Sequence, residues 1–114
     1  MKNDTKVGRH AIFELIDCSK ELLDDENYIV DTMIQIAHDL GATVLSTSSH
    51  KFEPQGVTAI LLLSESHISI HTWPEKRLAT CDIFTCGKCL PEKGVGMFKD
   101  KFKATETHSQ VFDR

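Results

Sequence analysis

Two apolar segments separated by a short polar stretch constrain the fold of this chain more than any other feature. Residues 57–63 (VTAILLL) form a nearly unbroken apolar run, which is typical of a buried strand. In residues 68–73 (ISIHTW), the isoleucines fall on one face of a strand and the histidine and tryptophan on the other. Only residues 64–67 (SESH) connect the two segments. This short connection predicts antiparallel neighbouring strands.

The remaining segments predict helices and further strands. Residues 24–40 carry apolar side chains at helical spacing, with Asp24 or Asp25 available to cap the start and Gly41 after the end. This apolar stripe is expected to face the core. The other predicted elements are strands at residues 9–18, 42–48 and 78–86, a second helix at 91–103 and a short edge strand at 109–112.

The order β-α-β-β-β-β-α-(β) predicts an α+β fold. Short connections between the strands favour an antiparallel sheet, and the two helices would cover one face of it in a two-layer sandwich. The opposite face would then need cover, which a homodimer could supply.

Length and composition limit the classes of function. The 114 residues suit a single domain spanning 1–114, and a net charge of −4 provides no basic surface for nucleic acid. No apolar run approaches the roughly 20 residues that span a bilayer. Residues 1–10 lack the apolar core of a signal peptide. We therefore expect a cytoplasmic protein whose four cysteines are reduced.

The polar residues with chemical potential concentrate in residues 64–75 (SESHISIHTWPE). Serines, histidines, two glutamates and a tryptophan occur here between apolar strands. A hydroxyl and an imidazole near a tight turn suggest nucleophilic chemistry. By spacing alone, a hairpin with solvated polar residues explains the same pattern.

A second candidate site is the Cys86-x-x-Cys89 motif, with Cys81 nearby in the sequence. Structural zinc usually takes two close pairs of ligands, and only one pair is present. A redox pair is also conceivable, because Lys88 between the thiols could lower a thiol pKa. Such motifs usually open a helix after a strand, whereas Pro91 follows closely here. The sequence therefore predicts no metal site.

Residues 61–75 (LLLSESHISIHTWPE), followed by DIFTCG at 82–87, resemble the processing and catalytic core of prokaryotic S-adenosylmethionine decarboxylases, which are pyruvoyl-dependent. The same family is matched by three shorter blocks: GRH (8–10), GAT (41–43) and PQGVT (54–58). The order and spacing of these blocks make the resemblance specific.

The resemblance implies that the chain cuts its own Glu65–Ser66 bond. The Ser66 hydroxyl would attack the Glu65 carbonyl, elimination would break the resulting ester, and loss of ammonia would leave a pyruvoyl group. Two chains, 1–65 and 66–114, would result. His71 matches the histidine that assists processing, and a neutral imidazole suits removal of the Ser66 α-proton near pH 7.

The family also implies how the pyruvoyl group is used. Its ketone binds the substrate amine as a Schiff base and draws electrons as carbon dioxide leaves. Cys86 matches the proton donor that protonates the substrate α-carbon. The expected reaction converts S-adenosylmethionine to S-adenosyl-3-(methylthio)propylamine, the aminopropyl donor for spermidine biosynthesis.

Substrate-binding residues follow from the same resemblance. Phe52 and Trp73 match the aromatic positions that hold adenine, and Glu75 matches the acid that binds the ribose hydroxyls. Further residues expected at the site are Ser64 and His67, which flank the cofactor, and Thr58, which stands where some members have a serine that supports processing. In the family this site forms at a homodimer interface. The resemblance assigns no role to Cys89, and the C-terminal segment is short for the family, which leaves the last strand open.

Two rival functions remain at this level. The same pyruvoyl chemistry could act on arginine or ornithine, which lack the adenine that an aromatic clamp would hold. An unprocessed, non-enzymatic paralogue could instead bind a partner or a metal through Cys86 and Cys89.

Overall fold

The computed structural model describes residues 6–114, and within them the chain forms six strands and three helices. The strands are β1 (Arg9–Ile16), β2 (Val44–Lys51), β3 (Val57–Leu63), β4 (Ser66–Trp73), β5 (Leu78–Thr85) and β6 (Glu106–Asp113). The helices are α1 (Lys20–Leu23), α2 (Glu26–Asp39) and α3 (Glu92–Phe102), and a 3₁₀ turn at Pro74–Lys76 links β4 to β5.

The strands pair antiparallel in one sheet with the order β2-β3-β4-β5-β1-β6. The α+β class and the antiparallel sheet predicted from the sequence are confirmed. Three details differ from the expectation. The short helix α1 was not predicted, β4 begins at Ser66 and not at Ile68, and β6 is a full strand of eight residues.

One face of the sheet packs against the helices and forms the core. Alternation along the strands puts the apolar residues of β1, β3, β4 and β5 on this face, where they are buried. Phe98 and Phe102 of α3 are fully buried, and Phe98 contacts Phe13 of β1 edge-on with ring centroids 5.4 Å apart. Burial of each such side chain stabilises the fold by roughly 1.5–3 kcal/mol.

Local signals set the ends of the main helix α2. The Asp25 side chain accepts a hydrogen bond from the Tyr28 backbone N–H at 3.0 Å, so Asp25 is the cap. Gly41 follows the helix with a φ of 84°, a conformation that glycine adopts at little cost. Within residues 6–114, none of the helices is both long enough and apolar enough to cross a membrane.

No helix covers the opposite face of the sheet among the described residues, and we call it the open face. Register places its residues in rows across the strands, one of which is Leu62, His67, Phe84, His10 and Phe112. Four large apolar residues of this face, Ile12, Ile60, Leu62 and Phe112, are 42–52% exposed. A face that mixes apolar and ionisable groups in this way suits a docking surface.

The start of α3 provides a matched test of the packing between helix and sheet. A Cβ added at Gly94 would collide with the Cδ1 atom of buried Ile83, whereas a Cβ at Gly96 would meet nothing within 4 Å. We expect Gly94→Ala to destabilise the fold by about 1–3 kcal/mol through overpacking. Gly96→Ala should stabilise it by about 0.5–1 kcal/mol through helix propensity. Urea unfolding of both variants measures the difference, and equal midpoints would contradict the packing described.

Candidate active site

The turn between β3 and β4 holds a non-glycine residue in a left-handed conformation. Ser64 and Glu65 form the whole turn, because Leu63 already pairs with Ser66. Glu65 has a φ of 57°, which costs a residue with a Cβ roughly 1–2 kcal/mol. Such strain concentrates at functional sites, where the surrounding structure holds it in place. The carbonyl of this strained residue belongs to the Glu65–Ser66 peptide bond.

Cys86, directly after β5, contacts both sides of that peptide bond. Its backbone N–H donates a hydrogen bond to Ser66 Oγ at 3.1 Å. Its thiol donates to the Glu65 carbonyl oxygen at 3.0 Å. The backbone contact holds the hydroxyl in place, and the thiol contact polarises the carbonyl. The structure therefore brings Glu65 and Ser66, the predicted cleavage pair, together with Cys86, the predicted proton donor.

A second set of side chains lies on the open face beside this turn. Asp82 of β5 accepts hydrogen bonds on Oδ2 from His10 Nε2 at 2.7 Å and from His67 Nε2 at 2.9 Å. Its other oxygen, Oδ1, accepts from Ser69 Oγ. We call these four residues the Asp82 cluster. Partial burial would raise the pKa of Asp82, but the hydrogen bonds from Ser69, His67 and His10 outweigh burial and lower it.

Sequence reasoning assigned His67 to the cofactor's surroundings and missed Asp82 and His10. One signal was present, since Asp82 is a charged residue in the middle of the apolar strand Leu78–Thr85. Its partner could not be read locally, because His10 lies 72 positions away in the chain.

Four of the six predicted substrate-binding residues meet in a cavity at the other end of β4, whereas Ser64 and His67 lie in and beside the β3–β4 turn. Phe52, Thr58, His71, Trp73 and Glu75 contribute to its wall, and its volume is about 290 Å³. Thr58 Oγ1 and His71 Nδ1 are hydrogen-bonded at 2.9 Å. The cavity therefore combines aromatic rings with a carboxylate, which is what a ligand with an aromatic base and hydroxyl groups requires.

A partly buried hydrogen bond from a backbone N–H and an ion pair hold the loop that forms one side of this cavity. Asp24 Oδ1 accepts from the Gly56 N–H at 2.8 Å and lies 3.1 Å from Lys51 Nζ. The Gly56 N–H is the main cause of a lowered Asp24 pKa, with Lys51 adding to it. Because the carboxylate form is favoured, this anchor is present above the ordinary aspartate pKa and is lost in stronger acid.

The two groups of predicted site residues are not adjacent within one chain. His71 lies five positions after Ser66 in β4, about 16 Å along the strand at roughly 3.3 Å per residue. One substrate cannot touch Ser66 and the cavity near Trp73 of the same chain at once. The structure thus places Ser66 with Cys86, and His71 with Phe52, Trp73 and Glu75.

The four cysteines fall into two environments. Cys18 and Cys81 are buried on the helix side of the sheet, whereas Cys86 and Cys89 are partly exposed. Burial, with a smaller effect of Asp17, raises the pKa of Cys18 to about 11, and burial also raises that of Cys81 well above its usual value. Cys81 is therefore a protonated core thiol and unsuited to join Cys86 and Cys89 as a metal ligand.

Comparison with known proteins shows which family the chain resembles. The model of the S-adenosylmethionine decarboxylase family matches residues 9–114. The S-adenosylmethionine decarboxylase proenzyme of Synechococcus sp. (strain WH7803) is 52% identical over 99 residues, which cover 86% of this chain and 77% of that protein. The proenzyme of Fervidobacterium nodosum is 45% identical over 103 residues, covering 90% and 75%.

A solved structure matches the fold as well. The crystal structure of the adenosylmethionine decarboxylase from Aquifex aeolicus VF5 aligns with a TM-score of 0.87 at 29% identity, covering 96% of this chain and 91% of that one. The fold and the matches define an enzyme of the decarboxylase class. The chain belongs to the S-adenosylmethionine decarboxylase family.

Proposed function

We propose that this chain decarboxylates S-adenosylmethionine, as a step toward spermidine, after cutting its own Glu65–Ser66 bond. The observation that carries the proposal is the pair of contacts from Cys86 to Ser66 Oγ and to the Glu65 carbonyl oxygen. The relatives support it, because their names join the decarboxylase activity with the word proenzyme.

The cleavage begins with a step that these contacts favour. Ser66 Oγ attacks the Glu65 carbonyl carbon, the C–N bond breaks, and the hydroxyl proton ends on the released nitrogen. A carbonyl that accepts a hydrogen bond is more electrophilic, and the thiol of Cys86 would stabilise the charge that develops on its oxygen. The left-handed conformation of Glu65 adds strain to the bond that is lost.

The residues around position 66 fit a pyruvoyl group. Cys86 contacts the hydroxyl of Ser66, the residue from which such a group would derive, and the Glu65 carbonyl, which cleavage would turn into a carboxylate. When present, the group supplies an electron sink for a carboxylate leaving an α-amino acid. The Cys86 thiol would then lie beside residue 66, where it could deliver the proton that replaces carbon dioxide.

The cavity near Trp73 supports the choice of substrate. Phe52 and Trp73 offer aromatic faces to an adenine, and Glu75 offers acceptors to ribose hydroxyls. Arginine and ornithine have no aromatic base that could stack on these faces.

The separation of this cavity from Ser66 leads us to propose a shared site. Two open faces packed together, with their strands running in opposite directions, would set Ser66 and Cys86 of one chain against Trp73 and His71 of the other. The exposed apolar residues of the open face would be buried by the same contact. His71 would then assist the cleavage of the partner chain and not of its own.

A cytoplasmic location is part of the proposal. All four cysteines are free, and the two near the site are partly exposed, which suits a reducing compartment.

The cleavage is tested by intact mass spectrometry of the purified protein. We expect two fragments, 1–65 and 66–114, with the second lacking a free amine at its start. Ser66→Ala should leave one intact chain because no hydroxyl can attack. A wild-type chain that stays intact on long incubation would overturn the proposed function.

Substitution of Cys86 tests the decarboxylation step, and the same substitution at Cys89 is its matched control. Cys86→Ser keeps a donor for the Glu65 carbonyl, so cleavage should continue, but a hydroxyl is a poor proton donor at neutral pH. We expect release of labelled carbon dioxide from S-adenosylmethionine to fall roughly 10²–10⁴-fold per cleaved chain. Cys89→Ser should behave like the wild type. Faster release from arginine or ornithine than from S-adenosylmethionine would refute the substrate assignment.

The shared site is tested by mixing two inactive chains. Chains carrying Ser66→Ala and chains carrying His71→Ala should each remain uncut when expressed alone. In a mixed dimer, one site combines the intact Ser66 of one chain with the intact His71 of the other. Co-expression should therefore restore cleavage of the His71→Ala chain, read by mass. If no cleavage returns although mixed dimers form, the two residues act within one chain.

A further inference from the structure

The Asp82 cluster has a defined arrangement of protons. Arg114 Nη1 lies 2.9 Å from His10 Nδ1, and a guanidinium can only donate. His10 Nδ1 is therefore the acceptor, and its Nε2 carries the hydrogen that goes to Asp82. With the Asp82 pKa lowered, the carboxylate can only accept, so His67 must also donate from Nε2.

This proton arrangement argues against a metal ion in the cluster. The ligand atoms of His10, His67 and Asp82 lie within 4.8 Å of one another, which by itself would suit a cation. A metal on His10 Nε2 would require a proton on Nδ1, where the Arg114 guanidinium already donates. The backbone of Arg114 is fixed by hydrogen bonds with Gly8 and Val7, so its side chain starts from an anchored position.

The hydrogen bond to Asp82 leaves the second ring nitrogen of His67 available. Within residues 6–114, no hydrogen-bond partner contacts His67 Nδ1, and the side chain is 38% exposed. Because Nδ1 is bonded directly to Cγ, it is the ring nitrogen nearer the backbone. Three bonds join it to the His67 Cα, so it stays near the backbone of the residue that follows Ser66, whereas Nε2 reaches Asp82.

We propose that Asp82 is a positioning residue that holds His67 as the Nε2–H tautomer, with Nδ1 as a proton acceptor beside residue 66. The inference rests on the proposed function and deepens it. His10 and Ser69 hold Asp82 in turn, and Arg114 sets the tautomer of His10. The ligand class that this acceptor serves is the α-ammonium group of an amino-acid substrate.

The acceptor has a definite task in the reaction. An α-ammonium group has no lone pair, so it must lose a proton before its nitrogen can bond to a ketone carbon. His67 Nδ1 takes that proton, and the nitrogen keeps the electron pair of the broken N–H bond. The imidazolium that results keeps its Nε2–H on the Asp82 carboxylate, which stabilises the charge.

The tautomer can be measured without any decarboxylation. Two-bond ¹H–¹⁵N spectra of the full chain carrying Ser66→Ala should show His67 and His10 as Nε2–H tautomers. In Asp82→Ala, neither ring keeps an acceptor for its Nε2–H, so His67 should no longer be held as the Nε2–H tautomer. His67 found as Nδ1–H in the parent chain would overturn the proposal.

Activity variants then separate positioning from folding. In the cleaved enzyme, Asp82→Ala should lower kcat/KM for S-adenosylmethionine about 10–100-fold, as expected for a group that orients another. His10→Gln, which can still accept from Arg114 and donate to Asp82, should retain most activity, whereas His10→Ala should lose it. The matched control is Glu106→Gln, which breaks an exposed carboxylate–histidine pair with His108 at 2.7 Å.

The outcomes distinguish a failure of the proposed function from a failure of the role proposed for Asp82. If the wild type neither cleaves nor releases carbon dioxide, the proposed function fails, while the tautomer still reports on the cluster. If the wild type is active and Asp82→Ala folds, cleaves and decarboxylates as the wild type does, the role of Asp82 is refuted. Equal losses in His10→Gln and His10→Ala would also contradict it. The proposal requires the Gln amide, which can restore both hydrogen bonds of His10, to rescue the activity that Ala loses.

Discussion

The register of β3 against β4 is the constraint on which the site depends. A turn of only two residues sets Leu63 opposite Ser66, and every later pair follows, including Thr58 opposite His71. Because side chains alternate with a period of two, a slip of one residue would move the isoleucines of β4 out of the core. The buried face thus enforces the register, and the register brings the Glu65 carbonyl and Ser66 Oγ to Cys86.

The two faces of the sheet have different roles: the face under the helices stabilises the fold, and the open face carries the candidate functional groups. The helices bury one side of the sheet, so the other side is free to carry histidines, carboxylates and exposed apolar residues. Ionisable groups can be kept there because Asp82 receives three hydrogen bonds and is only partly buried. A second chain covering this face would strengthen each of these electrostatic contacts, since it would exclude water.

Strand bounds and the faces of strand residues could be predicted from the sequence where a local pattern marks them. The apolar run of β3 gave its bounds at residues 57–63, and alternation in β4 separated Ile68 and Ile70 from His71 and Trp73. The stretch 64–67 was expected to be a loop, but Ser66 and His67 are strand because pairing with β3 and β5 outweighs their polar composition. The strand β6 was underestimated because its side chains are mostly exposed, so no apolar pattern marks it.

The sequence alone determined which peptide bond is the candidate for cleavage and which residue types surround it, because these reside in a contiguous motif. Only the tertiary structure decided which of them are neighbours. His10 and Asp82 meet because β1 pairs with β5, and this long-range pairing leaves no mark in any short stretch of sequence. Ser66 and His71 are close in sequence but separated in space, because an extended strand rises roughly 3.3 Å per residue.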